Sequence, residues 1–262
     1  MLIGIDHLVI VVADPDAAAS ALEREVGLAF TGGGRHEHAG TFNRLAFLGD
    51  SYVELIGVFD RALVLSNTAF AVGQASLAFL EERGEGLATW AVASDNVAVD
   101  AARLQAGGSP IAAPVAGSRT RPDGEVVRWW TAFPPLGPAQ PPFLITHELT
   151  GAEWGDDARA ARARFQHPAG GQLRMAGLDL SAPNPAAAAA QFEHWSGLGF
   201  GPDGIASMGA QTVTLRPAGG GRDDLPVVSI EAADATSAAL DVIRFGVRWQ
   251  RGPRRGYPAR HG

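Results

Sequence analysis

The sequence repeats one local pattern three times, and this repetition restricts the possible folds more than any other feature. Each copy begins with an apolar stretch, passes through Asp or Asn into a helix, and ends that helix near a glycine. The polar residues that open the three helices, Asp14, Asp95 and Asn184, are 81 and 89 positions apart. Self-similarity at a nearly constant spacing indicates that the chain is built from repeated structural units.

The first copy predicts one helix and four strands in the order βαβββ. Residues 5–13 are rich in β-branched side chains, which favours a buried strand. Asp14 and Pro15 then supply an N-cap and a proline at the first position of a helix that runs to about Val26. The remaining strands are predicted at residues 29–32, 41–48 and 51–58.

The second copy begins at Gly86, after a helix predicted within residues 67–85, and the third begins near Leu173. The later strands of the second copy are predicted at residues 115–120, 125–133 and 142–149. A charged segment broken by Pro168 separates the second copy from the third and is the predicted domain boundary. The predicted organisation is therefore paired modules in residues 1–150, a linker at 151–171, a third module at 172–250 and a flexible tail at 251–262.

Composition excludes several classes of function. Hydrophobic residues make up 46% of the chain and charged residues 19%, which is typical of a globular protein. The net charge of −7 argues against nucleic acid or an anionic membrane as the main partner. The chain has no cysteine, which excludes disulfides, thiolate catalysis and Cys-ligated zinc. Without a predicted signal peptide or membrane span, we expect a soluble cytoplasmic protein that binds a small molecule.

Two ionisable side chains interrupt predicted strands where apolar residues are expected. His7 lies in IDHLVIVV and Glu54 lies in YVELIGV. Burying a carboxylate costs several kcal/mol unless it is paired, protonated or bound to a metal. Glu54 therefore indicates a functional site, whereas His7 is either part of that site or a core histidine bonded to a backbone carbonyl.

Three further polar residues are candidates, each with a structural alternative. His36 follows two glycines and is either a site residue or a loop histidine. Asn43 either caps its own turn or binds a substrate oxygen. His147 is either a ligand or a residue at the rim of a strand end. Trp129 and Trp130 point to opposite faces of their strand, so one of them could line a pocket. No phosphate-binding loop, dinucleotide fingerprint, nucleophile elbow or zinc-protease motif competes with these residues.

Repeated βαβββ units with a histidine in the first strand and a glutamate in the fourth resemble the vicinal oxygen chelate superfamily, and most closely its glyoxalase-like branch. The resemblance covers residues 2–149, and residues 173–249 only as a degraded copy. It implies an α+β fold in which two βαβββ modules pair into one cupped mixed sheet, with a third, degraded module beside them. The segments that carry it are GIDHLVIVVADPDAA, GGGRHEHAGTFNRLAFLGDSYVELIGV, RTRPDGEVVRWW and PPFLITHE.

The resemblance also implies a divalent metal in the cup, such as zinc, manganese, iron or nickel. By position, His7 and Glu54 match the two ligands of the first module. The second module departs from the pattern, because aligning Asp95 with Asp14 places Ala88 where His7 lies. Its last strand offers Thr146 or His147.

We predict that a third ligand, His36 or His147, completes an open site, and we favour His36 because it lies in the same module as His7 and Glu54. Glu54, His36 and Asn43 are the predicted catalytic residues.

Three functions remain open from the sequence. The first is a metal-dependent lyase, isomerase or dioxygenase acting on a small oxygenated organic molecule. The second is a metal-free protein that binds or sequesters a small molecule in the same cup, as resistance proteins of the superfamily do. The third is a partner-binding module, for which the unpaired third copy is the only argument. The sequence does not decide whether the chain forms a homodimer.

Overall fold

The computed structural model describes residues 1–67, 70–121, 123–135, 141–233 and 238–253. Two sheets and seven α-helices account for most of them. The strands are β1 (Leu2–Val11), β2 (Gly32–His36), β3 (Thr41–Leu48), β4 (Ser51–Val58), β5 (Gly86–Ser94), β6 (Val115–Thr120), β7 (Val126–Ala132), β8 (Phe143–His147), β9 (Leu173–Ala182), β10 (Ile205–Met208), β11 (Gln211–Pro217), β12 (Val227–Ala232), β13 (Leu240–Arg244) and β14 (Val247–Pro253). The helices are α1 (Pro15–Glu25), α2 (Arg61–Ser66), α3 (Ala71–Arg83), α4 (Val97–Ala106), α5 (Gly151–Trp154), α6 (Asp156–Arg162) and α7 (Pro185–Ser196).

The first eight strands form a closed barrel in the order β1-β4-β3-β2-β6-β7-β8-β5. In each module the first strand runs parallel to the last, since β1 pairs with β4 and β5 pairs with β8. The two modules join through the antiparallel pair β1–β5 and meet again between β2 and β6, where Arg35 lies opposite Thr120. The predicted pair of βαβββ modules is therefore confirmed, and its cup closes into a barrel.

The remaining six strands form a second sheet in the order β10-β11-β9-β12-β14-β13. Within it β9 is parallel to β11, β12 is parallel to β14, and β9 is antiparallel to β12. The same pairings occur in the barrel, where β1 is parallel to β4, β5 is parallel to β8, and β1 is antiparallel to β5. The segment predicted as one degraded module thus consists of two shorter units, β9-α7-β10-β11 and β12-β13-β14, joined as the barrel modules are.

The helix caps follow the sequence pattern, with one shift. Asp14 and Asn184 cap α1 and α7, as expected, and each accepts hydrogen bonds from backbone N–H groups of the first turn. In the second module the cap is Asn96 rather than Asp95, whose carboxylate pairs instead with the terminal ammonium of Met1. Counting from Asn96, the counterpart of His7 is Thr89, one residue beyond the predicted Ala88.

One predicted strand is shifted in the structure, and one helix was not predicted. The second strand was predicted at residues 29–32 but runs from Gly32 to His36, so the three glycines lie inside it. A side chain at Gly33 would meet the Asn43 carbonyl oxygen at 2.4 Å, and φ there is +136°, so this strand requires glycine where strand propensity disfavours it. The helix predicted within residues 67–85 is confirmed as α3, and a separate helix that was not predicted, α2, precedes it after the cap Asp60.

The main core lies between the outer face of the barrel and the second sheet. Helices α1, α4 and α7 contribute to it, and fully buried side chains include Leu8, Leu22, Trp90, Phe192 and Trp249. Of the tail predicted at residues 251–262, the first three belong to β14 and the rest lie outside the described residues. In the described parts of the chain, no helix is long and apolar enough to span a membrane.

Candidate functional site

The barrel encloses a cavity of about 40 Å³, large enough for only a few water-sized groups. Its walls combine apolar side chains with a group of buried polar ones. All five residues predicted as site residues line this cavity: His7, His36, Asn43, Glu54 and His147. The structure therefore brings the predicted residues together, although their chemical roles stay predictions. Thr146 is engaged elsewhere, because its hydroxyl donates to the Ser94 carbonyl oxygen at 2.8 Å and accepts from the Val97 N–H.

A β-bulge in β1 places an unpredicted residue, Asp6, beside His7. The pairing of β1 with β5 shifts between Ile5 and His7, so Asp6 is the extra residue. Its Oδ1 lies 2.6 Å from Nδ1 of His7 and 3.1 Å from Nε2 of His147. Burial raises the pKa of Asp6, but the adjacent His147 and His7 together lower this pKa by more, so it lies well below its usual range. An ionised Asp6 can only accept, so both histidines donate to it.

Glu54 is held on one side by Asn43 and faces His7 on the other. Asn43 Nδ2 donates to Oε1 of Glu54 at 2.6 Å, while Oδ1 of Asn43 accepts from the backbone N–H of Gly34 at 2.9 Å. These two bonds fix the orientation of the amide. The other carboxylate oxygen, Oε2, lies 3.7 Å from Nε2 of His7, which is longer than a hydrogen bond. A bound molecule could therefore interact with both atoms.

His36 lies among aromatic rings farther along the cavity. Its Nδ1 is 2.9 Å from the Thr41 hydroxyl, and its ring centroid is 5.1 Å from that of Phe70 and 6.3 Å from that of Trp129. Burial lowers the pKa of His36 to about 3, and the nearby Arg119 guanidinium adds to the effect. His36 is therefore a neutral hydrogen-bonding group at pH 7.

The low pKa of His36 predicts that acid destabilises the protein. Below pH 6.5 the unfolded chain binds a proton at this residue that the folded chain does not bind, so the free energy of unfolding falls by about 1.4 kcal/mol per pH unit until the folded pKa is reached. Urea unfolding measured between pH 6 and pH 5 should show a shallower slope for His36→Gln than for the wild type. The exposed-site variant His38→Gln should keep the wild-type slope. An unchanged slope in His36→Gln would contradict the prediction.

Two further site residues lie in the segment predicted to be a linker. Glu153 and Trp154 belong to α5 and line the cavity. Glu153 accepts from Nη2 of Arg119 at 2.6 and 2.8 Å, and both side chains are almost fully buried. The Trp154 ring stacks on His147 with centroids 3.8 Å apart. A tryptophan within a charged segment was the sequence signal that could have indicated this contact.

A wider space continues outward from the cavity, and we call it the mouth. It has a volume of about 390 Å³, and the residues that it shares with the inner cavity are His36, Phe70, Val72, Arg119, Trp129 and Thr131. We call the three of these that carry rings, His36, Phe70 and Trp129, the throat. Of the two adjacent tryptophans in β7, Trp129 lines these spaces, whereas Trp130 is exposed.

The donor set does not fit the three-ligand metal site that the resemblance implies. Nδ1 of His7 and Nε2 of His147 both contact Asp6, and Oε1 of Glu54 accepts from Asn43. Nδ1 of His36 lies against Thr41. Among the described residues, no group of three His, Asp or Glu side chains converges to hold an ion. His7, Glu54, His36 and His147 are therefore neighbours in one cavity without forming the predicted coordination shell, and we derive no chemical step through a metal.

Comparison with known proteins finds a family that matches the sequence and a solved structure with a similar fold. The model of one protein family, described as a glyoxalase-like domain, matches residues 5–196, which is more than half of the chain. No curated protein matches the sequence. A solved structure of a hypothetical protein from Staphylococcus aureus superposes with a TM-score of 0.76 at 16% identity, covering 95% of this chain and 99% of that one. This likeness shows that the whole chain adopts a fold already observed.

Two enzyme structures resemble part of the chain. Methylmalonyl-CoA epimerase from Mycobacterium tuberculosis aligns with 55% of this chain and 86% of its own, at 19% identity and a TM-score of 0.41. A Streptomyces coelicolor methylmalonyl-CoA epimerase variant in complex with 2-nitronate-propionyl-CoA aligns with 56% of this chain and 97% of its own, at 21% identity and a TM-score of 0.41. Superpositions this loose carry no argument about the reaction or substrate.

Proposed function

The chain belongs to the glyoxalase-like domain family of the vicinal oxygen chelate superfamily, and on this premise we propose that it is an enzyme that moves a proton on a small oxygenated organic molecule held in the barrel. The observation that carries the proposal is the pair of atoms Nε2 of His7 and Oε2 of Glu54, which face each other across 3.7 Å in a buried cavity. Ionisable groups placed together in such a cavity are typical of acid–base catalysis.

In the proposed reaction, Glu54 is the base. Its carboxylate takes a proton from the carbon next to a carbonyl group, and the electron pair of the broken C–H bond moves towards the carbonyl oxygen. His7 is oriented by Asp6. When His7 is protonated, its Nε2 donates a hydrogen bond to that oxygen. Asn43 holds Glu54 in place through Oε1. Return of the proton gives an isomer, and loss of a neighbouring group gives elimination, so the reaction is of the isomerase or lyase type.

The alternative is a metal-free binding protein that holds the same molecule without changing it. The small volume of the inner cavity favours this alternative, because only a small part of a ligand can enter it. The metal-dependent reaction implied by the resemblance is not the one proposed, since among the described residues no third His, Asp or Glu joins Nε2 of His7 and Oε2 of Glu54 to complete a metal site.

The proposal is tested by deuterium exchange at acidic C–H groups. Phenylacetone, 2-oxobutyrate and S-propanoyl-N-acetylcysteamine are incubated with the purified protein in D₂O, and proton NMR follows the loss of the α-proton signals. We expect the protein to accelerate exchange of at least one probe, with the same rate in the presence of EDTA. Binding without exchange would favour the binding protein. A rate abolished by EDTA and restored by zinc or manganese would overturn the metal-free mechanism.

A further inference from the structure

We infer that the molecule bound in the barrel is uncharged and carries a flat aromatic group, which lies in the mouth while its oxygen-bearing end reaches Glu54. This inference rests on the proposed function for the location of the reacting groups, but it concerns the class of ligand. Three observations support it: the sizes of the two spaces, the aromatic walls, and the pairing of the charged side chains.

The sizes of the two spaces assign each part of the ligand to a place. An apolar cavity of roughly 150 Å³ is enough to bind benzene. The inner cavity, at about 40 Å³, is too small for a ring, whereas the mouth, at about 390 Å³, can hold one or two. A ligand that reaches Glu54 therefore inserts a group of two or three heavy atoms, such as a carbonyl with its neighbouring carbon, and leaves the larger part outside the throat.

Aromatic rings form part of the walls around that larger part. In the throat the ring of His36 lies beside Phe70, with centroids 5.1 Å apart, and at 78° to the indole of Trp129. Next to the throat, Phe133 of the mouth stacks on Phe143 of the inner cavity, with centroids 4.2 Å apart and planes 19° from parallel. Aromatic rings attract other rings in stacked and edge-to-face arrangements beyond what their apolar area provides. A flat aromatic group fits these walls better than a saturated ring.

Gly117 keeps the wall at Trp129 flat. Gly117 and Trp129 are register partners on β6 and β7. A Cβ atom at Gly117 would lie 2.3 Å from Nε1 of the indole, so the ring lies directly against the glycine backbone. Any larger residue would push the indole away from β6. Glycine at this position therefore sets the shape of the mouth.

The charges of the lining select an uncharged ligand. Among the described residues that line the two spaces, Arg119 pairs with Glu153 at 2.6 Å and Arg35 pairs with Glu37 at 2.8 Å. Neither arginine is left to neutralise an anion, a protonated His7 is already paired with Asp6, and an anionic group that entered the inner cavity would meet the carboxylate of Glu54. An anionic ligand is therefore disfavoured in both spaces.

Three matched probes test the ligand class. Phenylacetone is aromatic and neutral, cyclohexylacetone is saturated and neutral, and phenylacetate is aromatic and anionic. Ligand-observed NMR titration of the wild-type protein should give at least tenfold tighter binding of phenylacetone than of either other probe. Equal or tighter binding of phenylacetate would overturn the charge argument, and equal binding of cyclohexylacetone would overturn the aromatic one. Failure of all three probes to bind would overturn the inference as a whole.

Variants of the mouth test whether the walls are responsible. Gly117→Ala should weaken phenylacetone binding at least tenfold, whereas Gly252→Ala, where a Cβ atom meets nothing within 4 Å, should leave it unchanged. Trp129→Leu should abolish the preference for phenylacetone over cyclohexylacetone, and this variant remains informative if Gly117→Ala does not fold. Wild-type affinity and preference in the folded mouth variants would contradict the inference.

The binding and exchange experiments together test the ligand class and the proposed reaction independently. Selective binding of phenylacetone without deuterium exchange would support the ligand class and contradict proton transfer. Accelerated exchange of 2-oxobutyrate, together with no preference for phenylacetone, would support proton transfer and overturn the ligand class.

Discussion

Replacing Glu54 by glutamine is expected to slow deuterium exchange at least hundredfold. General bases contribute roughly 10²–10⁴-fold to proton-transfer rates. Glutamine has the size of glutamate, and its carbonyl oxygen can still accept the hydrogen bond from Asn43 Nδ2. The substitution therefore removes the base while preserving the shape of the cavity. The exchange rate of the fastest probe, followed by proton NMR, measures the effect.

Two controls distinguish loss of the base from loss of the fold. Glu81→Gln changes an exposed glutamate that pairs with Arg61 and lines neither the inner cavity nor the mouth, and this variant should catalyse exchange at the wild-type rate. The urea midpoint of Glu54→Gln should equal or exceed that of the wild type, because a neutral amide costs less to bury than a carboxylate. A wild-type exchange rate in Glu54→Gln would show that Glu54 is not the base.

Replacing Glu153 by alanine is expected to lower the free energy of unfolding by about 3–5 kcal/mol, the usual cost of leaving one member of a buried ion pair without its partner. Arg119 is only 4% exposed, and both its contacts to acidic groups are to Glu153. Its remaining bond, from Nη1 to the Gly33 carbonyl oxygen at 2.7 Å, does not neutralise the charge. Urea unfolding at pH 7 measures the loss.

Comparison with an exposed ion pair makes this test specific. Glu81→Ala removes the partner of Arg61 at the surface and should change the free energy of unfolding only slightly. The double variant Glu153→Ala/Arg119→Met should recover part of the stability lost in Glu153→Ala, because it removes the unpaired charge as well. A loss in Glu153→Ala no larger than that in Glu81→Ala would show that Arg119 does not depend on Glu153.

Local patterns in the sequence were enough to predict most of the barrel. The bounds of β3, β4 and β6 were predicted to the residue, because alternation, glycine turns and Asp-Pro caps each operate within a few residues. The same local patterns identified His7 and Glu54, since a polar side chain within an apolar strand is visible without knowing the fold. Both lie in the cavity as predicted.

The rest of the site depends on contacts that no local pattern encodes. Asp6 faces its two histidines only because a bulge displaces it, and one of those histidines belongs to β8, 141 residues later. Arg119 and its partner Glu153 are 34 residues apart in different elements, so no local pattern pairs them. The metal site was implied by the resemblance, which matches ligands by their position in the strands, whereas hydrogen bonds to Asp6 and Asn43 determine where the donors lie.

The two shortened units of the second sheet leave open edges where the barrel has none. Among the described residues, neither unit has a counterpart of β2 or β6, the strands that meet where Arg35 lies opposite Thr120. The sheet therefore ends at β10 and β13, whose free backbone groups could recruit a strand from another molecule and start aggregation. Both edge strands are short, four and five residues, and β13 carries Asp241 and Arg244. Short, charged edges protect an open sheet from pairing with its neighbours in solution.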